Sequence, residues 1–244
     1  MQPIPVNFFQ LRSACSTCSL HELCLPAGLD TKELTRLDVV VSGKRSLKRG
    51  QYLYRAGSAS RAIYAVRRGF MRSSVLHDGG REQVMGFHML GELLGMDSIG
   101  SAKHTCDAIA LEDTDICEIP FDDLERLSRD MPTLQRHFHN IMSREIAHDY
   151  GVMLLLGSMR AEERLATFIL NLSQRLGSRG YSPTRFNLRM TRDDIGSYLG
   201  LKLETVSRMF SRFQSDGLIT VKNRSIDIID MPRLRALLGQ CGTS

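Results

Sequence analysis

Apolar positions along the chain change their period twice, and those changes divide it. Between about Val39 and Glu118 the apolar residues come in short, often alternating runs, punctuated by Gly50, Gly57, Gly69, Gly79, Gly80, Gly86, Gly91 and Gly95. Gln51–Tyr54, Ala62–Val66 and Ile116–Ile119 read as strands bounded by turn residues. Many short strands at such spacing predict a β-roll or barrel. After Met131 the pattern lengthens. Pro132 suits the first turn of a helix and no further Pro or Gly appears until Gly151, so a helix to about Ser158 is expected. Another is expected from Ala161 to about Leu176, with Leu165, Phe168, Ile169 and Leu172 on one face, then a polar loop around 177–183.

Along the long helix Met142, Ile146, Asp149, Met153 and Leu156 recur at steps of four, three, four and three, the spacing of a coiled-coil seam. Pairing about a two-fold axis would bring each Asp149 near its twin, with Ile146 one turn away, and like charges drawn out of water repel. Such a dimer is weak until something else adds stability. The alternative puts Asp149 on a solvated flank and makes Leu134, Ile141, Val152 and Leu155 the seam.

Thr191 to Gly200 opens with an N-capping threonine backed by Asp193 and Asp194 and ends at glycine; Lys202 to Gln214 forms a second helix two residues on. This is a helix-turn-helix pattern. At 100° per residue Val206, Met209, Phe210 and Phe213 share one face, while Glu204, Ser207, Arg208, Ser211 and Arg212 share the other. Arginine can fork onto guanine, glutamate can accept from the cytosine amine, and serine can contact thymine or phosphate. Glu204, Ser207 and Arg208 near the start of the second helix are therefore the candidates for reading double-stranded DNA. Gly217–Val221 and Ser225–Ile229, joined by Lys222-Asn223-Arg224, predict a hairpin wing with a basic tip suited to phosphate.

Charge follows the same division. Residues 160–244 hold 14 Lys and Arg against 8 Asp and Glu, net +6, and residues 1–159 hold 18 against 19, net −1, within a total of +5. The basic excess lies wholly in the last third, as expected where only that part meets a polyanion. The 244 residues suffice for two modest domains. Apolar runs as short as Val152–Leu156 and the lack of a charged-then-apolar leader predict a cytoplasmic protein that does not enter the membrane.

Six cysteines remain to be explained. Cys15, Cys18 and Cys24 form C-x2-C-x5-C in one loop, and Cys117 follows far along the chain, three residues before a proline. This is too sparse for a disulfide scaffold. Thiolate ligation is the better reading, and both tetrahedral zinc and the corners of an iron–sulfur cluster accept four cysteines. Zinc motifs usually pair ligands in two knuckles, so a three-plus-one distribution favours a cluster; buried free thiols are the plainer alternative. Cys106 and Cys241 lack close cysteine neighbours and read as ordinary small apolar residues.

Barrel, long helix and winged helix-turn-helix, in that order, resemble the CRP/FNR superfamily of bacterial transcription regulators. The cysteines together with Phe87-His88, Cys117-Glu118-Ile119-Pro120 and Glu204-Thr205-Val206-Ser207-Arg208 are most similar to its oxygen-sensing FNR branch. The resemblance implies an α+β chain: a cluster-binding loop at 1–30, a cyclic-nucleotide-binding-like β-roll at 31–130, a dimerisation helix at 131–159 and a winged helix-turn-helix at 160–244. It implies a [4Fe-4S] cluster on Cys15, Cys18, Cys24 and Cys117 that oxygen converts to a [2Fe-2S] form and then destroys, whereupon the homodimer dissociates. Ile146 and Asp149 would tune that dimer, and Glu204, Ser207 and Arg208 would read TTGAT-type half-sites in an inverted repeat. RNA polymerase is the implied protein partner, with a contact surface expected around Ser73, Gly80 and Arg81.

Two other readings fare worse. In the cyclic-nucleotide branch an Arg-Ser or Arg-Thr pair follows Gly-Glu-Leu by some eight residues. Here Gly91-Glu92-Leu93 is present but Leu94 to Ala102 contains no arginine, so a buried cyclic phosphate would lack its counter-charge and no cyclic nucleotide is expected. An enzyme using the cluster would need a different cysteine spacing and a fold of alternating strands and helices, and no pairing of nucleophile and base stands out.

Overall fold

A computed structural model describes residues 14–41, 43–77 and 79–238, so Cys241 lies outside the described residues. The chain forms two compact units, one of residues up to 76 with 85–144, the other of 77–84 with 145 onward.

Eight strands build the first unit: β1 (Gly43–Leu47), β2 (Tyr52–Tyr54), β3 (Ala62–Arg68), β4 (Phe70–Leu76), β5 (Glu82–Met89), β6 (Leu93–Leu94), β7 (Asp107–Ala110) and β8 (Thr114–Pro120). They make two four-stranded sheets, ordered β1-β8-β3-β6 and β2-β7-β4-β5. One core draws on both sheets through Leu53, Tyr54, Tyr64, Val66, Met71, Leu94, Ala108 and Ile116. A second core joins Ile63, Ala65 and Ile119 to helices α1 (Thr31–Val40), α2 (Phe121–Asp130) and the start of α3 (Pro132–Ser158), through Leu37, Leu124, Leu127, Leu134, Phe138 and Ile141. Covered on both faces, β3 is buried from Ala62 through Val66. Its sequence accordingly reads as a continuous apolar run.

Helices α1 and α2 flank the stretch expected to be strand and were not among the expected elements. The signal for α1 is local: the Asp30 carboxylate accepts from the Glu33 amide and the Glu33 carboxylate from the Asp30 amide, a capping box. In α2, acids at Asp122 and Asp123 and a base at Arg129 suit the helix dipole, and Leu124 and Leu127 face inward.

The long helix runs as expected. Leu134, Ile141 and Leu155 are buried within the chain, which removes them from any seam. Met142, Val152 and Leu156 are half-buried, and Asp149 is exposed. Ile146, Tyr150, Met153 and Leu154 are 53%, 66%, 66% and 59% exposed, an apolar stripe without cover in the single chain.

In the second unit, α4 (Ala161–Gly177), α5 (Arg192–Leu199) and α6 (Leu203–Ser215) pack over a sheet ordered β10-β11-β9, from β9 (Arg185–Asn187), β10 (Ile219–Lys222) and β11 (Ser225–Ile228), with α7 (Met231–Ala236) at the end. Leu165, Ile169, Ile195, Leu199, Val206, Phe213, Ile219 and Ile226 are fully buried there. Strand β9 and helix α7 were not among the expected elements. Asn223 carries the positive φ (57°) that turns the β10–β11 hairpin.

The α5–α6 turn depends on Gly196. The Leu201 amide donates to the Gly196 carbonyl at 2.8 Å, and a Cβ at position 196 would sit 2.6 Å from the Leu201 carbonyl oxygen. Helix propensity alone predicts that Gly196→Ala stabilises by about 1 kcal/mol. The backbone contact reverses the sign, and denaturant unfolding should show a net loss of about 1–3 kcal/mol; a stabilised variant would contradict the close approach.

Candidate metal centre and nucleic-acid interface

Alternation along β8 decides where Cys117 stands. Ile116 belongs to the core between the sheets, so Cys117 and Ile119 face the other way, with Cys117 opposite Ala65 in register. On that side lies the cysteine loop. Leu25, 1% exposed, anchors it, and successive turns fold it back: the Cys18 amide donates to the Cys15 carbonyl, Leu23 to Leu20 and Ala27 to Cys24. Cys15, Cys18, Cys24 and Cys117 thereby line one cavity of about 480 Å³, open mouth included, walled by Leu20, Leu25, Pro26, Leu37, Val41, Ala65 and Ile119, with Arg67 as its one basic lining residue. Cys106, by contrast, is buried in the core between the sheets.

Electrostatics there oppose free thiolates. Burial, and then the neighbouring Cys24, Asp38, Cys117 and Cys18, push the Cys15 thiol far above its ordinary range. Burial pushes Cys24 up to about 12, with Cys117 and Cys18 adding to the effect against a backbone hydrogen bond from Leu25. Only a bound cation would hold these sulfurs ionised. Among the described residues, no three His, Cys, Asp or Glu side chains form a group able to hold a single metal ion. A tetrahedral zinc needs its sulfurs within about 4 Å of one another, given bonds of about 2.3 Å. Four thiols lining one apolar cavity are a donor set whose chemistry suits a thiolate-held metal centre, tetrahedral zinc and an iron–sulfur cluster alike.

Three further residues fix the loop. The Asp38 carboxylate accepts from the Cys15 amide, the Ser16 amide and the Ser16 hydroxyl. His137 of α3 lies with Nε2 3.3 Å from the Cys24 carbonyl. Gly91, at φ +83°, lets Leu23 approach so closely that a Cβ would stand 2.8 Å from its carbonyl oxygen.

In the second unit Thr191 caps α5 as expected: its hydroxyl accepts from the Asp194 amide, while the Asp194 carboxylate accepts from the Thr191 amide and hydroxyl. Gly200 ends the helix at φ +63°. On α6, Val206, Phe210 and Phe213 are buried and Glu204, Ser207 and Arg208 exposed, together within the first two turns. Arg212, on the same polar face, is tied to Glu162 at 3.0 Å and Asp216 at 3.6 Å. The Arg164 guanidinium donates to the carbonyls of Leu156, Met159 and Leu199, bracing the end of α3 against that of α5.

Residues 163–237 match the Crp-like helix-turn-helix domain family and residues 44–130 the cyclic nucleotide-binding domain family. The chain is 46% identical over 225 residues to the fumarate and nitrate reduction regulatory protein of Salmonella typhimurium, covering 92% of this chain and 90% of that one. It is 45% identical over 225 residues to the transcriptional activator protein Anr of Pseudomonas protegens, covering 92% of each. The chain belongs to the CRP/FNR family of transcription regulators. Among solved structures it is similar to FixK2 from Bradyrhizobium japonicum, at 32% identity and a TM-score of 0.74 over 80% of this chain and 96% of that one. This CRP/FNR chain is thus a regulator of the FNR and Anr type with a DNA-binding helix-turn-helix, not an enzyme.

One expectation fails: Ser73 is 7% exposed with its hydroxyl 2.9 Å from His88 Nε2, because its β4 position faces inward, so it is no surface contact. Gly80 and Arg81 are exposed. Asp38, His137 and Arg164 carry no sequence signal, since their partners lie beyond any local motif. The Gly91 approach yields a test. Gly91→Ala should cost about 1–3 kcal/mol in denaturant unfolding, from its positive φ and the backbone clash. Gly100→Ala, with nothing within 4 Å of the new Cβ, is the control and should change little. Equal effects of the two would contradict this packing.

Proposed function

We propose that this regulator senses oxygen through a [4Fe-4S] cluster held by Cys15, Cys18, Cys24 and Cys117, pairs as a homodimer along α3, and in that form binds an inverted-repeat TTGAT-type site to control genes for anaerobic growth. The observation that carries the reading is the gathering of the three loop cysteines and Cys117 onto one apolar cavity. When bound, the cluster supplies reactivity toward oxygen. The protein supplies the walls, the thiolates and the consequence. Coordination ties the loop to β8, so binding energy becomes folding energy for that segment.

The link to pairing runs through shared packing. Cys15, Cys24, Cys117 and Met142 all pack against the core that holds Leu134, Phe138 and Ile141 of α3. Ile146 and Asp149 follow Met142 by one and two turns on the same helix. A change in how the loop packs is therefore felt at the start of the exposed stripe. In the dimer that stripe is covered, each Asp149 faces its twin, and their repulsion is about 1–4 kcal/mol at 4 Å, depending on solvent screening. An association so opposed needs only a small added stabilisation to switch.

Glu204, Ser207 and Arg208 then read base edges from two copies about one DNA turn apart, while the wing residues Lys222 and Arg224 meet phosphate. A monomer reads half the site and binds far more weakly. RNA polymerase is the partner of the assembled regulator in the cytoplasm, with Gly80 and Arg81 left as the candidate contact. The barrel binds no cyclic nucleotide: besides the missing arginine, Tyr54 and His104 stack at 3.6 Å within it.

Sedimentation and operator binding under nitrogen and in air test the proposal. The wild type should be dimeric and DNA-bound only without oxygen. Asp149→Ala should dimerise and bind in air without the cluster, with dimer affinity raised about tenfold or more. A strictly monomeric Asp149→Ala in air would sink the pairing argument.

A further inference from the structure

The metal-facing loop has a second anchor that is not a ligand. Ahead of Leu25, residues 14–20 and 22–24 are half-buried or exposed, so packing alone holds Cys15 weakly. Three donors from Cys15 and Ser16 nevertheless converge on one carboxylate, that of Asp38, 22 and 23 residues away. Charge-assisted hydrogen bonds of this kind are roughly twice as strong as neutral ones. The support is rigid: Asp38 follows Leu37, which is fully buried and itself lines the cavity, on a helix capped at Asp30 and tied to α2 by the Arg36–Asp130 ion pair at 3.1 Å.

We infer that Asp38 is a positioning residue for the cysteine loop, its carboxylate presenting Cys15 to the cavity before any metal arrives. The inference rests on the reading of the four cysteines as ligands of one group, but the clamp acts in the metal-free chain. A carboxylate is a poor neighbour for thiolate ligands because its charge repels theirs. What it offers instead is geometry: two backbone N–H groups and a hydroxyl fixed at once, which sets the path of the chain through Cys15. Asparagine at the same place could accept both amides through Oδ1 and donate to the Ser16 hydroxyl oxygen through Nδ2, keeping the geometry without the charge.

Metal-free, reduced protein separates these contributions. Hydrogen–deuterium exchange in the peptide covering 14–18 should be about tenfold faster in Asp38→Ala than in wild type, and within about threefold of wild type in Asp38→Asn. On anaerobic addition of ferrous iron and sulfide, visible absorption should then develop more slowly in Asp38→Ala than in Asp38→Asn. Unchanged exchange at 14–18 in Asp38→Ala would overturn the assignment. So would an equal rise in the 31–40 peptide, since α1 would then have melted as a whole. Because exchange is read without metal, a wild type that proves colourless would defeat the cluster reading and leave the clamp standing.

Discussion

Four thiols facing an apolar cavity are the constraint on which the rest of this molecule depends. Burial drives Cys15 and Cys24 away from ionisation, so the loop can pack against the body as neutral thiols or as thiolates balanced by metal charge, with no stable state between. Cys24 and Cys117 are 93 residues apart in sequence. Bringing them together costs chain entropy that grows only slowly with separation, and the packing of Leu25 already offsets part of it. A centre held by both, as proposed, would therefore act on the fold, beyond decorating it.

The rest of the first unit makes that constraint consequential. Cys117 sits on the outward face of a central strand, so the centre lies against the helical layer, where Leu37, Leu124, Leu134, Phe138 and Ile141 pack together. The helix supplying the last three continues into the uncovered stripe of Ile146, Tyr150, Met153 and Leu154. An apolar face interrupted by Asp149 is suited to the proposed conditional association, because burial favours the pair and charge opposes it. Arg164 holds the Leu156 carbonyl near the end of α3, the Met159 carbonyl just after it and the Leu199 carbonyl of α5, so the helix-turn-helix is braced against the end of that helix.

Much of this was legible in the sequence, for physical reasons that differ by element. The helix-turn-helix carries its own punctuation in Thr191, Asp194 and Gly200, and α6 its own period. Strand β3 was legible although it does not alternate, because burial on both faces leaves an unbroken apolar run. Helix α1 had a readable capping box in Asp30 and Glu33, just ahead of the strand-like spacing that begins near Val39. Strand β9 has only three residues, too few for any period to show. The heptad spacing marked the apolar stripe of α3 and yet could not separate Met142 and Leu156, half-buried within the chain, from Ile146 and Met153, which are exposed. Spacing likewise grouped Cys15, Cys18 and Cys24, whereas Cys117, Asp38, His137 and Gly91 meet that loop only through tertiary approach.

The central claim is that these four sulfurs hold an iron–sulfur cluster, and metal and sulfide analysis of anaerobically purified wild type, read with its visible spectrum, tests it most directly. The account predicts about four irons and four acid-labile sulfides per chain, with a broad visible absorption that air bleaches. A colourless protein carrying one zinc per chain, or one whose cysteines are paired as disulfides, would contradict it.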